Sequence, residues 1–152
     1  MTSLQPTTDS ARRVTTHELS SELRIAVNRL SRRLRAEKAD DDLTDGQTTV
    51  LLVLSVNGPR TLSQLSEHER VSLPSMNRTV NALVAAGYVE REPSTHDRRK
   101  VLLRLTDSGT ELVRETRRRR DEWLYVRLAR LTPAARRALA AAAPILRELS
   151  DR

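Results

Sequence analysis

The segment Leu73–Ala86 holds the residues whose types and spacing are best suited to chemistry. Met76, Val80, Leu83 and Val84 recur at helical spacing and form an apolar face, while Ser75, Asn77, Arg78 and Asn81 form the opposite, polar one. An Asn amide places a donor beside an acceptor and matches the major-groove edge of adenine; a guanidinium matches guanine or a phosphate. Ordinary amphipathic surface helices carry Glu and Lys outward, but this outer face has no acidic residue. It suits the edges of double-stranded DNA. A second cluster, His96, Asp97, Arg98, Arg99 and Lys100, follows at the turn between two short aliphatic runs. Three adjacent cations on a protruding tip can reach a narrow minor groove, where negative potential is strongest. Asp97 fits beside phosphates if its carboxylate orients a neighbour, Arg78 or Arg99.

Chemistry of other kinds finds little support. There is no phosphate-cradling glycine loop, only four Gly in all, and no nucleophile near a His. The carboxylates are plentiful, but none is paired in an apolar setting that would tune its pKa. No enzyme activity and no cofactor are expected. With no Cys, disulfides, thiolate metal sites and thiol switches are excluded. His17, His68 and His96 lack ligand spacing, so no metal site is expected.

The elements that must position the two clusters can be read from the caps. Thr15 with Glu18 opens a helix whose stripe is Leu19, Leu23, Val27, Leu30 and Leu34. Asp40, Asp41 and Asp42 form a loop. Thr44 with Gln47 opens a second helix; Val50, Leu51, Val53, Leu54 and Val56 make it apolar around most of its circumference, so it is expected to be the central buried one. Asn57, Gly58 and Pro59 stop it. Thr61 with Gln64 opens a short helix with Leu62 and Leu65 inward, and Arg70–Ser72 forms a tight connector. Ser72 caps the polar-faced helix, and Gly87 suits a left-handed cap after it. From Tyr88 to Leu105 the period changes to that of a hairpin. Thr106 caps a long helix to Leu131, and Thr132 with Pro133 opens the last, which Pro144 is expected to kink or shorten. The order is helix, short helix, tight turn, second helix and two-stranded wing. In a helix-turn-helix of that order the second helix enters the major groove.

Composition agrees. The chain has 152 residues, one domain's worth, and a net charge of +7; 25 of its 27 cationic side chains are Arg. A sequence pI near 11.0 suits a polyanionic partner. Aromatic residues are 2%, too few for single-strand binding by base stacking. No apolar run approaches the roughly 18 residues of a membrane span, and residues 1–13 have no apolar core of a secretory signal. A cytoplasmic protein, nucleoid-associated when bound to DNA, is expected.

On these residues the chain resembles the MarR (multiple antibiotic resistance regulator) family of bacterial winged helix-turn-helix transcription factors. The resemblance is carried by residues 62–92 and by Asp97 to Gly109, with the wing signature at Asp97, Arg99, Leu105 and Thr106. It extends over about residues 18–150. It implies a mainly α fold with a small β-hairpin wing, in a single domain over 15–152 after a flexible arm (1–14). The DNA-binding lobe would span 44–106, and helices 15–39 and 107–150 would interleave in a homodimer. It further implies that Ser75, Asn77, Arg78 and Asn81 contact bases or phosphates, that Thr61, Ser63 and Ser72 contact DNA from the helix starts, and that Arg99 enters the minor groove beside Arg98 and Lys100. A repressor on a pseudo-palindromic operator, released by a small aromatic or phenolic effector, is the activity it implies. The absence of Phe leaves few aromatic side chains to line such a pocket.

The apolar pattern points to a dimer on its own. The stripe at 19–34, with Leu19 and Leu23, and Trp123, Leu124, Leu128, Leu131, Leu139, Ile145, Leu146 and Leu149 exceed what so small a core can cover. Two-fold pairing with an identical chain would bury them. The runs Arg29–Arg35 and Arg117–Arg120 are expected to be mostly solvated, with Asp121 and Glu122 as possible partners. Two other readings stay open: a DNA-binding architectural protein without sequence preference, and a winged helix that binds protein instead.

Overall fold

The computed structural model describes residues 14–151, which hold six α-helices and one two-stranded antiparallel sheet. The arm expected over 1–14 lies, apart from exposed Val14, outside the described residues. The chain divides into two compact units, residues 1–33 and 34–152.

Helix α1 (Thr16–Ala36) begins on the expected capping box: the Thr15 hydroxyl accepts from the Glu18 amide at 3.2 Å, and the Glu18 carboxylate accepts from the Thr15 amide at 2.9 Å. None of its side chains is buried. Leu19, Ile25, Val27 and Leu30 are exposed, and Leu23 and Leu34 are half-buried.

In the second unit, α2 (Asp45–Asn57) starts on the reciprocal Thr44–Gln47 capping box and ends at Gly58, whose φ of 72° lies in the left-handed region glycine tolerates. Val50, Leu51, Val53 and Leu54 are buried, which makes α2 the central helix, but Val56 is 72% exposed. Its position beside the Asn57–Gly58 stop turns it out from the core, so the circumference is less completely apolar-packed than expected. Helix α3 (Leu62–Glu69) follows a Thr61–Gln64 capping box, and α4 (Leu73–Ala85) follows Ser72. Met76, Val80 and Leu83 of α4 are buried, and Val84 and Leu62 pack half-buried against the same cluster.

Strands β1 (Val89–Pro93) and β2 (Val101–Leu105) pair antiparallel, with Val89 opposite Leu105, Arg91 opposite Leu103 and Pro93 opposite Val101. Arg60 adds one bridge to Leu103, its amide donating at 3.0 Å and its carbonyl accepting at 2.8 Å. Val89 and Leu103 point into the core formed by α2, α3 and α4. A buried Leu contributes roughly 1.5–3 kcal/mol, so this cluster is what fixes α4 and the hairpin relative to each other.

Helix α5 (Asp107–Ala129) is capped by Thr106, which accepts from the Gly109 amide at 3.0 Å and donates to the Gly87 carbonyl at 2.7 Å. Gly109 is buried where α5 crosses the start of β1; a Cβ there would lie 2.1 Å from the Tyr88 carbonyl oxygen. Val113 joins the core, and beyond Thr116 no side chain of α5 is buried. Helix α6 (Pro133–Asp151) opens on Thr132, which accepts from the Ala135 amide at 3.2 Å. It is not shortened at Pro144. The missing N–H and ring clash cost about 3 kcal/mol, but good helix formers flank the proline, Ala140–Ala143 before it and Leu146 after, and the helix continues.

Candidate nucleic-acid interface

The turn between α3 and α4 is held by the backbone rather than by glycine. Arg70 takes a left-handed conformation (φ 53°, ψ 42°), which no sequence signal announced. The turn is closed by two bonds from α3: the Val71 amide donates to the Ser66 carbonyl at 3.1 Å, and the buried Ser66 hydroxyl donates to the Val71 carbonyl at 2.6 Å. These fix the entry of α4.

On α4, Arg78 and Asn81 are exposed, while Ser75 and Asn77 are half-buried on its flanks. The outward face is thus narrower than the four residues expected. Arg78 makes no hydrogen bond or ion pair among the described residues, which leaves its guanidinium available. Ser63 at the start of α3 is exposed, and Thr61 and Ser72 are engaged as caps, accepting from the amides of Gln64 at 3.2 Å and Ser75 at 3.4 Å. Each hydroxyl proton remains free to donate outward.

The strand beside α4 contributes a further residue, Arg91, that the α4 and hairpin-tip motifs do not include. Arg91 Nη2 donates to Asn81 Oδ1 at 2.7 Å and to Asn77 Oδ1 at 3.4 Å. The period of two along β1 was the available signal. Val89 points to α4, so Arg91 lies on the same side.

The hairpin tip is a built turn. The Ser94 amide donates to the Lys100 carbonyl at 2.8 Å, and the Lys100 amide to the Asp97 carbonyl at 2.8 Å. The Ser94 hydroxyl, in a residue nearly fully buried, accepts from the amides of His96 and Asp97. Asp97 Oδ1 accepts from the Arg99 amide at 3.1 Å and lies 3.8 Å from Arg99 Nε. Of the two partners expected for Asp97, it is Arg99 that it holds. The Arg99 side chain is 96% exposed, and Arg98 and Lys100 are exposed beside it. Along the strands, Arg104 Nε donates to Glu90 at 2.7 Å with Glu92 at 3.6 Å, so the two acids of β1 are paired. The Glu90 hydrogen bond, then the Glu92 charge, raise the Arg104 pKa. The free charge of this face is therefore cationic.

Below the interface, the connector 37–43 is stitched to α5. Arg119 donates to the Lys38 carbonyl at 2.9 Å, Arg120 to the Glu37 carbonyl at 3.2 Å, and the Ala39 amide to Thr116 Oγ1 at 3.2 Å. Lys38 Nζ donates to the Leu43 carbonyl. Arg118 and Arg119 also converge on Glu115, whose carboxyl their hydrogen bonds hold down at about 2. Partial burial lowers the Arg120 pKa. Arg117, Arg118 and Arg119 are exposed, as expected for a solvated run, and Arg120 is half-buried. Arg118 pairs with Glu122 at 2.8 Å, as expected, and with Glu115, because residues three or four apart meet on a helix. No Asp121 pairing is seen among the described residues. Tyr88 donates to Asp40 Oδ2 at 2.8 Å; this bond, then burial, raise the phenol pKa above its usual 10.0.

Comparison with known proteins decides the family. The model of the MarR family matches residues 41–100. The HTH-type transcriptional regulator MT0903.1 of Mycobacterium tuberculosis is 41% identical over 133 residues, 88% of this chain and 93% of its own length. This chain belongs to the MarR family. The solved structure of RV1404 from Mycobacterium tuberculosis superposes with a TM-score of 0.76 at 28% identity, covering 90% of this chain and 92% of that one. The HTH-type transcriptional repressor NicR of Pseudomonas putida is 31% identical over 64% of this chain and 62% of its own length. As a MarR-family member the chain is a helix-turn-helix transcriptional regulator with a β-hairpin beside its second helix, and not an enzyme. No described helix is long and apolar enough to cross a membrane.

Proposed function

We propose that the protein is a homodimeric repressor that reads a pseudo-palindromic DNA operator through α4 and the hairpin tip. The observation that carries this reading is the pairing of two features on one compact unit. An acid-free polar helix face stands on an apolar core, and beside it a rigid turn projects a nearly fully exposed Arg99 that Asp97 orients. Arg78 and Asn81 would contact the major groove, with Asn77 and Ser75 at its edges. Thr61, Ser63 and Ser72 would meet phosphates, and Arg99 the minor groove with Arg98 and Lys100 alongside. The side chains on α4 favour this reading over an architectural binder, since pure phosphate binding draws on Lys and Arg throughout.

Dimerisation is supported by the apolar side chains left outside the core. Leu19 of α1, Leu131 after α5, and Leu139, Ile145, Leu146 and Leu149 of α6 are exposed, while Leu23, Trp123, Leu124 and Leu128 are only half-covered. Tyr125, at 72% exposed, and Val126 join them. A second copy would cover these side chains in each unit by two-fold symmetry. Repression is the activity of the relative NicR and is extended here to this chain. A hollow lined by Ala39, Tyr88, Leu112, Asp107, Ser108, Glu111 and Glu115 offers a place for an effector. Its Tyr88 and Leu112 suit an aromatic ring; of its three carboxylates, Glu111 is paired with Arg114 and Glu115 with Arg118 and Arg119, so the lining carries little net negative charge against a ligand.

The test combines sedimentation with footprinting of the protein on duplex from upstream of its own gene. A dimer that protects two half-sites about one helical turn apart is expected. Replacing Ile145 and Leu146 together by Glu should give monomers and abolish the paired footprint. A monomer protecting a single site would overturn the reading.

A further inference from the structure

Resting on the reading of α4 as the groove-facing helix, we propose that Arg91 is a positioning residue that sets which base that helix prefers. It does so by fixing the orientation of the Asn81 and Asn77 amides. A guanidinium has donors and no acceptor, so only the carbonyl oxygen of an amide can face it. Arg91 Nη2 carries two hydrogens and meets two such oxygens, Asn81 Oδ1 at 2.7 Å and Asn77 Oδ1 at 3.4 Å. The shorter contact lies in the range of charge-assisted hydrogen bonds. With each Oδ1 drawn toward β1, the amide's Nδ2 is directed away from Arg91.

That orientation matters because an unrestrained Asn reads adenine with both of its functions. Its oxygen accepts from the adenine 6-amino group while its nitrogen donates to N7. Here the oxygen has one lone pair taken by Arg91 and is turned to the strand. What Asn81 offers outward is a donor group, and the purine edge that matches donors is guanine, with adjacent acceptors at O6 and N7. An adenine at the same place would offer those donors N7 alone and set its own amino group against them, one acceptor fewer than guanine. The clamp thus converts an adenine-reading side chain into one that selects guanine.

The fold explains why this residue can do so. Val89 is buried in the core, and alternation along β1 puts Arg91 on the same side of the strand, two residues further out. Leu103, its cross-strand neighbour, is also buried and fixes the register. Glu90 and Glu92 lie on the opposite face and are taken by Arg104. Arg91 therefore has no carboxylate partner among the described residues and spends its donors on the two amides.

The experiment is selection of bound duplexes from a pool randomised across the footprint, with the full chain and its variants, followed by salt titrations on the selected sites. The wild-type protein is expected to favour guanine over adenine at the position facing Asn81. Arg91→Ala should raise adenine relative to guanine there by about tenfold, the scale of one bidentate contact, while Arg91→Lys, also donor-only, retains the wild-type preference. In an Asn77→Ala/Asn81→Ala background, Arg91→Ala should leave the base preference unchanged. Asn81→Asp keeps the acceptor for Arg91 but removes the outward donors, so it should lose the guanine preference even if Arg91→Ala does not fold. The proposal is overturned if Arg91→Ala weakens all duplexes equally and lowers the salt slope by about 0.9, the mark of a plain phosphate contact. It is also overturned if Asn81→Asp leaves the preference intact. A wild-type protein with no base preference at any position would instead overturn the operator reading itself.

Discussion

Substitution of Gly109 by Ala sets two effects of opposite sign against each other. Gly109 lies in the first turn of α5, and by helix propensity alone Ala should stabilise by about 1 kcal/mol. The structure says otherwise. An added Cβ would sit 2.1 Å from the Tyr88 carbonyl oxygen and 3.0 Å from its carbonyl carbon. Relief requires α5 or β1 to move by roughly 1 Å, since carbon and oxygen pack at a little over 3 Å. The oxygen that must yield accepts from the Thr106 amide at 3.1 Å, so moving it weakens the cap that joins the hairpin to α5. Overpacking strain of about 1–3 kcal/mol plus a hydrogen bond of about 1 kcal/mol, less the propensity gain, leaves a net loss of about 2 kcal/mol. For a chain of this length that is a fall in Tm of about 4–8 °C. The assay is thermal unfolding followed by circular dichroism at a fixed protomer concentration, because an associating protein's Tm depends on it. An unchanged or higher Tm would refute the close approach as the reason for glycine at this position.

Three further predictions follow from the site. Arg99→Ala should weaken binding to the operator duplex by about 1–3 kcal/mol without changing the Tm, since its side chain touches only Asp97; unchanged affinity in a folded protein would remove the wing from the interface. Tyr88→Phe should cost about 1 kcal/mol by deleting the bond to Asp40. Because the folded-state phenol pKa is raised, that stabilisation is present below pH 10 and is lost as the pH rises through the shifted value; alkaline unfolding of the wild type and the variant that coincides at every pH would contradict it. The Glu115 carboxyl should titrate near 2 by NMR. Its folded-state pKa is depressed, so its contribution holds above about 4.5 and fades toward 2, and Glu115→Gln should flatten the acid limb of stability in that window. A Glu115 midpoint near 4.5 would show that Arg118 and Arg119 do not hold it in solution.

Much of the fold was legible because caps are local chemistry. Thr44, Thr61, Ser72, Thr106 and Thr132 each announce a helix through a side chain that bonds an amide two or three residues on, and each start falls where that chemistry puts it. The polar face of α4 and the hairpin tip were legible for a similar reason, since helical period and turn composition are both short-range. What escaped were contacts between distant segments. Arg91 reaches Asn81 only because β1 packs beside α4, and Arg119 and Arg120 hold carbonyls some eighty residues earlier in the chain. The left-handed Arg70 escaped because the bonds that impose it, from Ser66 to Val71, tie the turn from outside its own residue. Val56 misled in the other direction, because a helix end turned it outward, and of the two effects expected of Pro144 the shortening does not occur, since helix formers flank the proline.

Sequence-specific reading of DNA by α4 and the hairpin tip is the proposal on which the others rest. It is tested most directly by fluorescence anisotropy on the duplex from immediately upstream of the protein's own gene, beside a scrambled duplex of equal length, at two salt concentrations. A preference of about 1000-fold or more for the native duplex is expected, with both affinities falling as salt rises. Equal affinity for the two duplexes would contradict it and leave a cationic surface that binds any DNA.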